Sequence, residues 1–211
     1  MLEGRVKLVS AVLVLVVAGG AAYYLHAQKQ KREQQRAVAA LVSDTTASLR
    51  KALSAPPPPE LVGHLDGNLK AAKAPRDREL ENAAEGYIHS AREIARRRSD
   101  VERLLREAAM SRRALSMHMA AASRRDTYWI RIATDLKKRA ERDHFDLEMS
   151  LKALSKLLFD LPDAGKRLSP YVDASLLLEE GASRNARAQA EATAKRAAEE
   201  LEKVRRLAMP R

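Results

Sequence analysis

From Arg76 to Leu161 the chain carries no proline and a single glycine, Gly86. Across it Leu80, Tyr87, Ile94, Val101, Ala108, Leu115, Ala122, Trp129 and Leu136 recur at seven-residue spacing. Seven residues are two turns of a slightly underwound helix, so one seam stays on one face. Ala84, Ala91, Leu105, Met119, Ala133 and Ala140 form a second column, and the register then moves to Leu147, Leu151, Leu154 and Leu158, as at a stutter. The pattern predicts one long helix over 76–161, which as a straight rod would reach about 130 Å. Ser99 with Glu102 could cap a new helix start, but the seam stays in register from Ile94 to Val101, which favours an unbroken helix there. Asp143 with Asp146 is a weaker cap candidate near the change of register. Arg98, Arg112 and Asp126 interrupt the second column. A seam this rich in alanine makes a poor isolated dimer, so its residues are expected to pack against other helices of the same chain or of a partner.

Composition supports helices and excludes several chemistries. Only 4% of residues are aromatic, which leaves no large Phe, Trp and Tyr core, while Ala, Leu, Arg, Lys and Glu lose little rotamer freedom in a helix. The lack of cysteine removes a disulfide framework, a thiolate metal site and a thiol nucleophile. A formal charge of +11 favours anionic partners.

The segment 1–26 reads as a membrane anchor. Leu8 to Leu25 contains no charge, and Leu8, Val12, Leu15 and Val16 lie within it, with Tyr23, Tyr24 and Leu25 at its carboxyl end. Eighteen helical residues span roughly 27 Å, near the thickness of a bilayer core, and tyrosines suit the headgroup level. A cleaved signal peptide is the competing reading, given Ala18-Gly19-Gly20-Ala21-Ala22. The length of the run and the basic stop behind it favour a retained anchor. Lys29, Lys31, Arg32 and Arg36 after the span, against Arg5 and Lys7 before it, favour a cytoplasmic body. The signal-like order of a short basic tail and an apolar run favours an extracytoplasmic one. The expected localisation is a single-pass protein of the inner (plasma) membrane with an extracytoplasmic body, and the cytoplasmic body is kept as the alternative.

Val38, Leu41, Val42, Thr45, Leu49 and Leu53 mark an amphipathic helix over 27–55 that continues from the span. Pro56 to Pro59 break it, and 56–75 reads as a proline-rich hinge with a short helix weakened by Gly63 and Gly67. Pro162, Gly165 and Pro170 read as a turn, after which Leu176 to Leu178 begin a helical return and 162–211 runs back along a seam of Ala186, Ala190, Ala194, Ala197, Leu201, Val204 and Ala208. The expected fold is all-α: an N-terminal transmembrane helix, then long coiled-coil-like helices in an elongated hairpin or loose bundle.

Catalytic patterns are missing from this sequence: no glycine-rich phosphate loop, no zinc-binding His-Glu-x-x-His, no Gly-x-Ser-x-Gly elbow. Met117-His118-Met119 could suggest a soft-metal site, but successive helical side chains diverge by about 100°, so flexible seam packing is the better reading. No enzyme, cofactor or metal is therefore expected. The strongest functional feature is a basic face that includes Arg96, Arg97, Arg98, Arg112, Arg113, Arg124, Arg125, Lys137 and Lys138. Few aromatics accompany it, which argues against specific nucleic-acid recognition.

These features point to a membrane-anchored helical scaffold, spacer or tether within a larger envelope assembly. Its expected partners are the lipid bilayer, other helical proteins of an envelope complex docked on the seam Leu80, Tyr87, Ile94, Val101, Leu115, Trp129 and Leu136, and anionic polymers or lipid headgroups on the basic face. Self-association is left open. Two other readings remain: a membrane-anchored sensory bundle and a cytoplasmic membrane-bound polyanion binder.

Overall fold

The computed structural model describes the backbone of residues 2–75, 77–121 and 127–207, with side chains from residue 23 onward. Among the described residues the chain is all-α: α1 (Leu2–Ser54), α2 (Glu60–Ala71), α3 (Arg78–Ala120), α4 (Thr127–Leu168) and α5 (Glu180–Arg206), with a single 3-10 turn at Ala174–Leu176. The long helices pack side by side as a bundle.

The 76–161 segment is two helices rather than one. α3 ends at Ala120 with the N–H of Ala121 on the Met117 carbonyl, and α4 starts at Thr127. Apolar clusters pair Leu115 with Ala140 and Leu136, so α4 runs back antiparallel to α3. The His118 ring stacks on Trp129 with centroids 4.9 Å apart and meets its carbonyl at 3.1 Å, closing the turn. Folding back shortens the body to the length of α3, about 65 Å for its 43 residues.

Doubling back gives the seam its partner. Leu80, Tyr87, Ile94, Val101, Ala108 and Leu115 are buried, as are Leu147, Leu151, Leu154 and Leu158 across the stutter. α5 returns along α4 and also reaches α3, with Ala190, Ala194 and Ala197 giving a close approach to α4 and Val204 meeting Leu115 near the end.

α1 runs parallel to the first half of α3, shown by Thr46 meeting Tyr87 and Lys31 reaching Asp77 at 3.8 Å. Its residues 2–30 thus point away from the α3–α4 turn. The prolines end α1, but 56–75 is not a free hinge. α2 is docked by Leu61 and Leu65 against Ala52 and Ala95, and its two glycines lie on its exposed side. Asp44 accepts from His64 at 2.6 Å and from Asn68 at 2.7 Å, while Arg92 of α3 pairs with Asp66.

Pro162 does not form a turn either. It sits inside α4, which runs on to Leu168. A proline at 162 has no N–H for the Leu158 carbonyl one turn back. The Ser183 hydroxyl of α5 donates to that carbonyl at 2.6 Å from a buried position, so the orphaned acceptor is satisfied across the helix pair. The return helix begins at Glu180, and Leu176 to Leu178 belong to the connecting loop rather than to its first turn.

Ser183→Ala strands that acceptor, and urea unfolding in detergent is expected to show a loss of about 1–3 kcal/mol. In a Pro162→Ala background, where residue 162 regains its N–H, the same change is expected to cost clearly less. Equal costs in the two backgrounds contradict this account of how α4 tolerates its proline.

Candidate functional site and interaction surfaces

Three surfaces follow from the sequence, and the fold treats each differently. The anchor positions Leu8, Val12, Leu15 and Val16 have side chains outside the described residues. The backbone there is part of α1, which is one helix from Leu2 to Ser54. Tyr23 and Leu25 are 77% and 65% exposed, and Tyr24 is exposed with its hydroxyl accepting from Gln28. Among the described residues no helix is long and apolar enough to cross a membrane.

The seam is not open to a partner. Leu80, Tyr87, Ile94, Val101, Leu115 and Trp129 are buried within this chain, and Leu136 packs partly buried against the Leu115 cluster. The burial of Leu80, Ile94 and Leu115 against α1, α4 and α5 is complete without a second protein.

Tyr87 anchors more than packing. Its hydroxyl meets Thr46 Oγ1 of α1 at 2.8 Å and accepts the Leu178 N–H at 3.0 Å, so one side chain ties α1, α3 and the α4–α5 loop. Arg50 adds a contact from α1 to the Leu177 carbonyl. Burial pushes the Tyr87 phenol up, partly offset by the bonds to Thr46 and Leu178. At Asp44 the Asn68 amide holds the carboxyl below its usual range against a smaller opposing effect of burial, with His64 helping. Asp44 therefore stays ionised as the acceptor that pins α2.

The basic face is broken up by folding. Arg98 pairs with Glu102 at 2.7 Å and Arg112 reaches Glu200 of α5 at 2.7 Å. Lys137 donates to the Arg205 and Leu207 carbonyls at 2.9 and 2.7 Å, capping the end of α5 where the last carbonyls lack helical partners. Arg96, Arg97, Arg113 and Lys138 remain exposed, while Arg124 and Arg125 lie outside the described residues. These cations do not form one continuous face of a rod. Arg96, Arg97 and Arg98 sit midway along α3, whereas Arg112, Arg113, Lys137 and Lys138 gather at the α3–α4 turn.

Sequence reasoning missed the exposed apolar side chains on the outer faces of the bundle. Phe145, Met149 and Phe159 lie on solvent-facing positions of α4, and Arg187 of α5 stacks over Phe159 at 4.8 Å. Their spacing of four and ten residues was legible, but they fall outside the seven-residue columns.

Grooves between the helices are shallow. One of about 260 Å³ lies between α3 and α5 near the turn, with Leu115, Met119, Val204 and Leu207 inside and Arg112, Glu200 and Lys203 at its rim. Among the described residues no group of three or more His, Asp or Glu is placed to hold a metal ion. His118 faces Trp129, not a convergent ligand set with Met117 and Met119. No protein family, no curated protein and no solved structure matches this chain.

The raised Tyr87 phenol predicts an alkaline instability. The folded state keeps it neutral, so its contribution is intact below the unfolded pKa near 10 and is lost as pH rises through the higher folded value. Tyr87→Phe is expected to lower stability at neutral pH by about 1–3 kcal/mol and to flatten the fall above pH ~10. Parallel pH profiles for the two proteins would exclude Tyr87 as the titrating group.

Proposed function

We propose that this chain is a single-pass, membrane-anchored helical tether, its bundle held off the bilayer by a helix that continues directly from the span. The observation that carries the reading is the unbroken course of α1 from Leu2 to Ser54, uncharged from Leu8 to Leu25 and then packed as a bundle helix from Val38. A greasy helix fused without a linker to a bundle helix transmits position rigidly. Tyr23 and Tyr24 suit the headgroup level, and Lys29, Lys31, Arg32 and Arg36 form a basic neck behind them.

A scaffold role within an envelope assembly fits this geometry, with the body on the extracytoplasmic side. Partner docking on the α3 seam is set aside, because those side chains are already buried within the chain. Docking by helical partners falls instead to outer faces such as that of Phe145, Met149 and Phe159. The sensory reading gains one supporting observation: any movement of α1 acts on Thr46, Tyr87 and the α4–α5 loop together.

Membrane fractionation of the full chain tests the anchor. The protein is expected to resist carbonate extraction, and Leu15→Lys with Val16→Lys is expected to release it, since each charge at a span centre costs about 2.5–3.5 kcal/mol. Wild-type protein recovered in the carbonate supernatant, or a mature product lacking the first 22 residues or so, sinks the anchored reading. A phosphatase fusion after Arg211 reports the side of the body, and activity without cytosolic fluorescence is the expected outcome.

A further inference from the structure

The bundle is charged at one end. Its far tip, the slice made by 110–121, 127–142 and 198–207, carries ten Lys and Arg against five Asp and Glu. The rest of the described body, 31–75, 77–109 and 143–197, is close to balanced, with twenty-two against twenty-one. The tip also lies opposite the end from which α1 emerges, since Lys31 meets Asp77 at the start of α3 while Lys137 meets the last carbonyls of α5.

Several of the tip cations are free to meet a ligand. Arg113, Arg131, Lys138, Arg142 and Arg206 are exposed and make no ion pair among the described residues. Apolar side chains stand beside them on each helix. On α3, Met110 and Met117 flank Arg113 at helical spacing and are 63% and 61% exposed. On α4, Tyr128 is 72% exposed one turn before Arg131, and just past the end of α5 Leu207, at the mouth of the α3–α5 groove, is 39% exposed beside Arg206.

We infer that this tip docks on a bilayer surface rich in acidic phospholipid, facing the membrane that α1 enters. Cations beside exposed apolar side chains match the headgroup–acyl boundary, where Lys and Arg meet phosphates and apolar groups reach the first methylenes. A nucleic-acid backbone would satisfy the cations but give Met110 and Met117 no apolar environment, and with Trp129 buried the tip presents Tyr128 as a lone exposed aromatic where a strand-tracking surface needs several. With the body about 65 Å long, the tip stands well clear of the bilayer at the other end. This deepens the tether reading by giving the second attachment a chemistry.

Full-length protein is inserted into phosphatidylcholine vesicles, and insertion is scored by flotation. These donors are mixed with fluorescent, sucrose-loaded acceptor vesicles, too dense to float alone, made of phosphatidylcholine alone or with phosphatidylglycerol. Acceptors containing phosphatidylglycerol are expected to float with the donors, and neutral acceptors are not. Reversing four tip charges (Arg113→Glu, Lys138→Glu, Arg142→Glu, Arg206→Glu) is expected to cut capture roughly tenfold or more. Reversing four exposed charges elsewhere (Arg96→Glu, Arg97→Glu, Lys156→Glu, Arg167→Glu) changes net charge equally and is expected to leave capture within about twofold. Met117→Ser with Tyr128→Ser should weaken capture while leaving its salt dependence unchanged.

Helix content by circular dichroism confirms that each variant folds, and a variant that does not is replaced by its glutamine counterpart. Equal losses from the two charge sets overturn the inference. So does capture of neutral acceptors as strong as of acidic ones, or displacement of the acceptors by an oligonucleotide at matched phosphate concentration. Failure to insert into the donors sinks the anchor alone. Free protein is then mixed directly with the acceptors, and the comparison between variant sets still decides.

Discussion

Burial of the α3 seam against α4 is the constraint on which the other contacts rest. Leu80, Ile94, Val101 and Leu115 are long apolar side chains on one stripe of a 43-residue helix. Covering each contributes roughly 1.5–3 kcal/mol, and a single helix in water covers none of them. α4 meets that stripe with Leu147, Leu151, Leu154, Leu158 and Leu161, and α5 and α1 close over what remains. In the folded chain α3 and α4 form the hairpin, α5 packs on it through its alanine stripe, and α1 with α2 covers the half nearest the amino terminus.

Two polar contacts fix where these helices stop sliding. A bundle sealed by Leu and Ala has little intrinsic register, because Ala stripes pack almost equally well one turn along. The Ser183 hydroxyl reaches only the carbonyl that Pro162 leaves bare, and the Tyr87 hydroxyl meets Thr46 and Leu178 at one relative height of α1 and α3. Displacing α5 or α1 by a turn would leave a buried polar group without a partner, a cost of about 1–3 kcal/mol each. These contacts supply registry that the apolar stripes lack.

The all-α class, the seam and the end of α1 at its prolines were legible in the sequence because each depends on local chemistry: periodicity, propensity and the missing proline N–H. The α3–α4 turn was not. It contains neither glycine nor proline, and Leu115, Ala122 and Trp129 keep seven-residue spacing straight through it. Apolar residues placed on both sides of an antiparallel hairpin can continue a heptad count, so periodicity alone does not separate a rod from a rod folded once. Pro162 misled in the opposite direction. Its usual consequence was cancelled by Ser183, twenty-one residues later, and no local window contains both. The charges show the same divide. Arg112, Lys138 and Arg206 are distant along the chain, and only the two reversals of direction bring their regions to one end.

The proposed tether would need a fixed distance as much as two attachments, and the neck of α1 bears on this. Residues 23–30 extend beyond the start of α3, and 31–37 lie at the edge of the bundle where Lys31 reaches Asp77; Gln28, Lys29, Lys31, Arg32 and Arg36 give this stretch little apolar face to stabilise a helix. Isolated, so short a helix is marginal in water, because its nucleus is costly. Here the nucleus is already formed, since the same helix is packed from Val38 onward, and each further turn only propagates it. An apolar span would hold the other end in helical form for the same reason, having no water to satisfy its backbone. Under that arrangement the neck is a strut at about 1.5 Å per residue rather than a flexible leash. A helix break introduced there should therefore alter the distance and orientation of the body while leaving the Tyr87 and Ser183 contacts untouched.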